Sequence, residues 1–209
     1  MQTLLEHLKK SPLVPVLRKI RFDDSSFIVK ALIEGGVRTV EITMETERAS
    51  DIIRKTVDEF GSQTLVGAGT VLTVEDCINA INAGAQFIVA PVLNEQVVTY
   101  AVEQGIPVIP GVYSPSEMMR AYELGATAVK LFPAASVGPG FVKDVQGPLG
   151  HIPIMVTGGI DLANAHSYIE AGAIAVGAGS ALLNKSHIST GDWNALTMET
   201  KKWMSALMK

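Results

Sequence analysis

The chain has 209 residues, with 17 Lys and Arg against 21 Asp and Glu and a formal net charge of −4. Hydrophobic residues make up 47% and charged residues 18%, which excludes a disordered chain and supplies enough apolar surface for a core without a disulfide or metal staple. The acidic balance, with no basic stripe to replace phosphate counterions, excludes a nucleic-acid binder.

Residues 1–10 read as an N-terminal helix, and the charges in MQTLLEHLKK stand where a signal peptide needs an apolar core. Leu13–Arg18 is the first short apolar run. Seven more follow, each introduced by a glycine: Gly36, Gly61, Gly84, Gly105, Gly125, Gly150 and Gly172, spaced 20 to 25 residues apart. The runs are VRTVEIT, SQTLVGAG, AQFIVAP, IPVIPG, ATAVKLFP, HIPIMVTGG and AIAVGAG, and such runs suit strands buried on both faces of a parallel sheet. The glycines read as left-handed helix C-caps. Segments such as DDSSFIVKALIEG, TVEDCINAINAG and SPSEMMRAYELG open on Ser, Thr or Asp, as helix N-termini do.

The longest uncharged run, Cys77 to Asn94, contains Asn79, Asn82, Gln86 and Pro91 and so makes a poor lipid-facing helix. Cys77 is the single cysteine; it permits no intrachain disulfide and fits a reducing compartment. A cytoplasmic protein without a membrane partner is expected.

Eight strands alternating with helices predict the α/β class, as a single (β/α)8 TIM barrel with an extra N-terminal helix; an open doubly wound sheet is the competing architecture. One domain is expected over 1–209, with the N-terminal helix at 1–10, the barrel at 12–182 and a C-terminal helix at 191–209.

An ionisable group in the middle of such a strand is expensive unless it is paired or used. Lys130 in TAVKLFP and Glu41 in TVEITM are of this kind. They fall on the sixth and second strands, and because interior layers draw on alternate strands they can face each other near the C-terminal mouth. Burial favours the neutral amine that attacks carbonyls, and a carboxylate beside it can move protons; a structural ion pair is the alternative.

Arg18 ends the first run and Thr70 follows the third. A guanidinium fork and a hydroxyl together can hold a carboxylate, whereas alone Arg18 reads as a rim residue and Thr70 as a helix N-cap. Gly158-Gly159 and Gly179-Ser180 follow the seventh and eighth runs, where barrels often bind phosphate on backbone N–H groups; tight turns need glycine there in any case. His7, His151, His166 and His187 lack metal-ligand spacing, so no metal and no nucleotide cofactor is expected. Trp193 and Trp203, in the final helix, read as packing or oligomer contacts.

Taken together, VPVLR, EGGVRTVEIT, VGAGTV, AGAQFIVAP, IPVIPGV, AVKLFPA, GPGFVKDVQGP, VTGGI and VGAGSAL, spread over residues 14–182, resemble the bacterial 2-keto-3-deoxy-6-phosphogluconate / 4-hydroxy-2-oxoglutarate aldolase family. The resemblance implies homotrimeric class I aldolases with the barrel fold and no cofactor. Lys130 would form an imine with the keto acid, and Glu41 would move protons through an active-site water. Thr70 would hold the carboxylate, Gly158, Gly159 and Ser180 the phosphate, and Thr43, Pro91 and Phe132 would shape the pocket. One position departs from the family pattern. Where enterobacterial members carry a carboxylate-gripping arginine four residues after the glutamate, this chain has Glu45, so the grip is assigned to Arg18, with Arg48 as the weaker substitute.

The expected reaction is reversible cleavage of a 2-keto-4-hydroxy acid to pyruvate and an aldehyde, either glyceraldehyde 3-phosphate or glyoxylate. Two other readings stay open. One is a phosphate-binding TIM-barrel isomerase or synthase with Glu41 as base; the other is a non-catalytic sugar-phosphate-binding paralogue.

Overall fold

Consecutive aliphatic positions, many of them β-branched, make strands that need cover on both faces. The computed structural model, which describes residues 3–208, provides it. Its strands are β1 (Leu13–Leu17), β2 (Thr39–Thr43), β3 (Leu65–Gly69), β4 (Phe87–Val89), β5 (Val108–Ile109), β6 (Gly111–Val112), β7 (Val129–Leu131), β8 (Ile154–Thr157) and β9 (Ala175–Ala178). All pairs are parallel, in the order β5-β4-β3-β2-β1-β9-β8-β7-β6, so neighbours in sequence are neighbours in space and there is no switch point. This is an α/β barrel, not a doubly wound sheet.

The expected fifth strand is in two pieces. Pro110 has no N–H to give to a ladder. Val108–Ile109 pair with β4, Gly111–Val112 pair with β7, and the Pro110 carbonyl between them accepts from the Lys130 N–H at 2.8 Å. Nine strands thus make eight staves, and the ring closes across the proline.

The helices are α1 (Leu4–Lys10), α2 (Ser25–Glu34), α3 (Ala49–Phe60), α4 (Val74–Asn82), α5 (Glu95–Glu103), α6 (Pro115–Glu123), α7 (Gly138–Leu149), α8 (Ala165–Glu170), α9 (Lys185–Thr190) and α10 (Trp193–Leu207). Thr3, Thr73 and Ser114 form capping boxes with Glu6, Asp76 and Glu117, two orphan donors satisfied at each start. The expected C-terminal helix at 191–209 is shorter at its start, because Gly191 instead ends the unexpected α9 in a left-handed C-cap. Of the seven strand-introducing glycines, Gly61 and Gly150 cap in the right-handed region, contrary to expectation, while the other five have positive φ. Residues 1, 2 and 209 of the expected terminal helices lie outside the described residues.

Two apolar layers result. The larger lies between strands and helices; Val40, Ile42 and Val66 face it, and α10 closes it with Leu196 and the fully buried Trp203. The smaller fills the lower barrel, where Phe87, Ile109 and Met155 meet Leu4 and Leu8 of α1, one helical turn apart, so α1 plugs the floor. Interior volume is shared between large and small residues: a Cβ on Gly67 would lie 2.3 Å from the Phe87 ring. No helix among the described residues is long and apolar enough to cross a membrane.

Two outcomes follow from this packing. G67A forces the Phe87 ring or the β3 backbone to move, and its urea midpoint is expected to fall by the equivalent of about 1–3 kcal/mol with an unchanged slope; an unchanged midpoint would mean the ring has room to shift. Burial pushes the Cys77 thiol up to about 11, with Asp76 adding to the effect. The thiolate is thereby disfavoured in the native state, so this contribution to stability is complete below the ordinary thiol range and is lost as pH rises towards 11. Native protein at pH 8 should leave a disulfide thiol reagent unreacted, and one thiol should appear on denaturation.

Candidate active site

Side chains alternate along a strand, so Glu41 on β2 and Lys130 on β7 point into the barrel above the apolar plug. They sit on the second and sixth staves, and Lys130 Nζ lies 3.7 Å from Glu41 Oε1, with side chains 4% and 0% exposed. Small neighbours make the room. A Cβ on Gly69 would overlap the Glu41 carboxylate, and one on Gly111 would strike the backbone of Pro91. Among the described residues neither Glu41 oxygen has a hydrogen-bond partner, so the contact with Lys130 is a charge pair without a clamp. Lys130 Nζ also stands 5.5 Å from the Phe132 ring centroid, within cation–π range.

Above the pair opens a cavity of about 1180 Å³, lined by Lys130, Phe132, Pro91, Thr70 and Arg18 and extending past Gly158, Gly159 and Ser180 to Lys185 and Trp193. Five basic side chains line it (Arg18, Lys19, Arg21, Lys130 and Lys185) against two acidic ones, Asp24 and Asp161. Three of the five are ion-paired, Arg18 with Glu45, Arg21 with Asp24 and Lys130 with Glu41, which leaves Lys19 and Lys185 as the cations at the mouth without an acidic partner among the described residues.

The turns at the mouth are built for this cavity. Gly159 has φ +72°, and a Cβ there would lie 2.4 Å from the Ala135 methyl, so both conformation and space require glycine. The Gly158 carbonyl accepts from the Ala135 N–H at 3.0 Å and the Gly159 carbonyl from Asn164 Nδ2 at 3.1 Å. With its acceptors committed, the turn keeps donors for an anion. Three residues with side chains hold left-handed φ values, Lys19 at 51°, Arg48 at 59° and Thr70 at 52°, and all follow strands β1 to β3 at this end. Each such residue stores of the order of 1–2 kcal/mol, the kind of strain that gathers at working sites.

Most sequence-predicted residues converge here, with two exceptions. Thr43 does not line the cavity; its buried hydroxyl donates to the Leu17 carbonyl at 3.4 Å and meets Thr46 Oγ1 at 3.1 Å, bracing the wall. Arg48 lies over the Phe22 ring, 3.9 Å from its centroid, and pairs with Asp51 at 2.9 Å, outside the cavity. Arg18 does line it, and Arg18 Nη1 meets Glu45 Oε1 at 2.5 Å, so the Glu45 charge is neutralised at the rim. Thr70 does not cap α4; Thr73 does. Trp193 lines the cavity's outer end and stacks on Phe27 at 5.6 Å.

Sequence reasoning missed Thr157, Arg21 and Lys185. Thr157 is buried with an unpartnered Oγ1 and occupies space that a Cβ on Gly177 would take. Its signal was available, because it stands two residues after Met155 on the inward parity of β8 and directly before the glycine pair.

A parallel α/β barrel whose mouth cavity ends on a buried lysine–glutamate pair defines an enzyme acting on small molecules. Residues 4–198 match the family described as KDPG and KHG aldolase, and the chain belongs to that family. It is an aldolase, a carbon–carbon lyase. It is 36% identical over 198 residues to the 2-dehydro-3-deoxy-phosphogluconate aldolase of Treponema pallidum, covering 94% of both chains. It is also 36% identical over 174 residues to the 2-dehydro-3-deoxy-6-phosphogalactonate aldolase of Escherichia coli, covering 83% of this chain and 85% of that one. Among solved structures, a KDPG aldolase of Legionella pneumophila with pyruvate captured as a covalent carbinolamine superposes with TM-score 0.87 at 29% identity, covering 96% of this chain and 97% of that one.

Lys19 and Lys185 at the mouth should make capture of an anionic substrate sensitive to salt. For a phosphorylated keto acid, kcat/KM is expected to fall about 3-fold or more between roughly 0.02 M and 0.5 M salt, with kcat little changed. A flat profile would show that these lysines do not guide the substrate.

Proposed function

We propose that the chain is a class I aldolase that reversibly cleaves 2-keto-3-deoxy-6-phosphogluconate, and 4-hydroxy-2-oxoglutarate where it is offered, through a Schiff base on Lys130. The observation that carries this reading is a lysine buried against an otherwise unpartnered carboxylate at the closed end of a large cavity, in a member of an aldolase family.

Glu41 takes a proton from Lys130, whose neutral Nζ attacks the C2 carbonyl; Glu41 then gives that proton to the carbinolamine hydroxyl, which leaves as water and yields a protonated imine. Glu41 takes the proton of the C4 hydroxyl. As that oxygen becomes the aldehyde carbonyl, the C3–C4 bond breaks and its electron pair passes into the imine, leaving an enamine. The aldehyde leaves, a proton returned by Glu41 is added at C3, and hydrolysis frees pyruvate and Lys130. The contact places Glu41 beside Nζ for this exchange, and neither carboxylate oxygen is committed to a hydrogen bond among the described residues.

Arg18 and Thr70 serve as carboxylate ligands, and Gly158, Gly159 and Ser180 receive the phosphate, with Lys185 beyond them. Thr157 is placed for a substrate hydroxyl between the two ends. A donor-lined cup beside an exposed lysine favours glyceraldehyde 3-phosphate over glyoxylate, which has no phosphate to fill it. A homotrimer is part of the same reading; exposed Leu72, Val92 and Tyr113, after neighbouring staves, offer apolar area for contact.

K130M is expected to lower turnover below about a thousandth of the parent, since methionine cannot form an imine. Incubation with pyruvate and borohydride should leave one reduced adduct, mapped to Lys130. Near-normal turnover by K130M, or an adduct on another lysine, would reject the mechanism. No adduct together with turnover of a phosphosugar would favour the isomerase reading.

A further inference from the structure

Among the groups at the mouth to which the reaction gives no task is a carboxylate. Glu45 follows β2 and faces Arg18, with Nη1 and Oε1 2.5 Å apart and side chains 52% and 33% exposed for Arg18 and Glu45. An isolated pair with that exposure would count for little. This one is framed by a chain of hydrogen bonds. The Lys19 N–H donates to Thr46 Oγ1 at 3.0 Å, Thr46 Oγ1 meets Thr43 Oγ1 at 3.1 Å, and Thr43 Oγ1 donates to the Leu17 carbonyl at 3.4 Å. The residues on either side of Arg18 are thereby tied to Thr43 and Thr46, which bracket Glu45. The left-handed Lys19 completes the bend.

Two further facts give the contact direction. Arg18 lines the catalytic cavity, whereas Glu45 lines the smaller groove beside it. The pair uses Nη1, so the Nε and Nη2 hydrogens are without a partner among the described residues. Those atoms form the guanidinium edge that takes a carboxylate through two parallel hydrogen bonds.

We propose that Glu45 is a positioning residue: it anchors the Arg18 guanidinium from outside the cavity, so that the free edge is presented to the substrate carboxylate before binding. The inference rests on the reading of Arg18 as the carboxylate ligand. Through Glu45 an acidic residue at the rim assists in binding an acid, because it acts on the arginine and not on the substrate.

Pyruvate is the probe, and the readout is its half-saturating concentration for borohydride-trapped adduct. This isolates the carboxylate end from the aldehyde. E45A should raise that concentration about 5-fold with the limiting adduct yield unchanged. E45Q, whose amide oxygen still accepts from Nη1, should recover most of the loss. R18A should raise it further, and E45A should add nothing in the R18A background. An E45A with unchanged or lower half-saturation, or an E45Q as impaired as E45A, overturns the proposal. An R18A that saturates like the parent removes the carboxylate reading instead, and no adduct on the parent removes the imine reading, so the three failures are distinct. Both substituted side chains are on the surface, so folding is not at stake.

Discussion

The buried contact between Lys130 and Glu41 is the constraint around which the interior is arranged. Two ionisable groups taken out of water are tolerated only as a pair, and removing one partner of such a pair leaves an uncompensated charge worth about 3–5 kcal/mol. The pair also needs volume, and glycines at inward positions of the barrel supply it. Gly67 clears the Phe87 ring, Gly69 clears the Glu41 carboxylate, and Gly177 clears Thr157. The glycines of VGAG and AVGA are therefore part of the site, although none of them reacts. An open sheet could not offer this environment, because only a closed ring brings the second and sixth staves within 4 Å through their side chains.

Below the pair the barrel is plain hydrophobic packing; above it the backbone is under tension. α1 and the lower side chains make a floor with no polar function, so the pair sits on a rigid, dry base. At the mouth, left-handed Lys19, Arg48 and Thr70 bend the chain sharply after three consecutive strands, and the glycine turns do the same after β8. The stable lower barrel holds these conformations against their intrinsic cost. That division places the chemistry at one end and the stability at the other.

Much of this was legible in the residues, for identifiable reasons. A lysine in TAVKLFP and a glutamate in TVEITM contradict the rule for strands covered on both faces, and that contradiction located the pair before any fold was known. The strand count was less secure, because Pro110 looks apolar in a string of letters and acts through its missing N–H only once neighbours are fixed. Thr43 has inward parity and was expected at the pocket, yet its hydroxyl finds the Leu17 carbonyl and Thr46 first; local hydrogen bonds override parity at a strand end. Thr157 was overlooked because a threonine in a strand is ordinary by propensity, and only its unpartnered oxygen marks it out. α9 lacks the apolar periodicity that reveals a helix, since none of its residues is buried.

The two ends of the cavity place different demands on a substrate. Under the proposed mechanism an imine forms at the deep end only where the keto carbon meets Nζ, so position is set by buried side chains on rigid strands. At the outer end, backbone N–H groups and exposed cations such as Lys185 attract charge without enforcing one shape, because long exposed side chains adapt and long-range attraction is non-directional. Under the proposed reaction, selectivity for the pyruvoyl half should exceed selectivity for the aldehyde half. The reason is physical: unpaired polar groups in a buried site penalise a wrong ligand severely, whereas water replaces missing contacts at an open mouth. Arg18 stands where these regimes meet, exposed like the outer cations yet fixed by its neighbours like the inner groups.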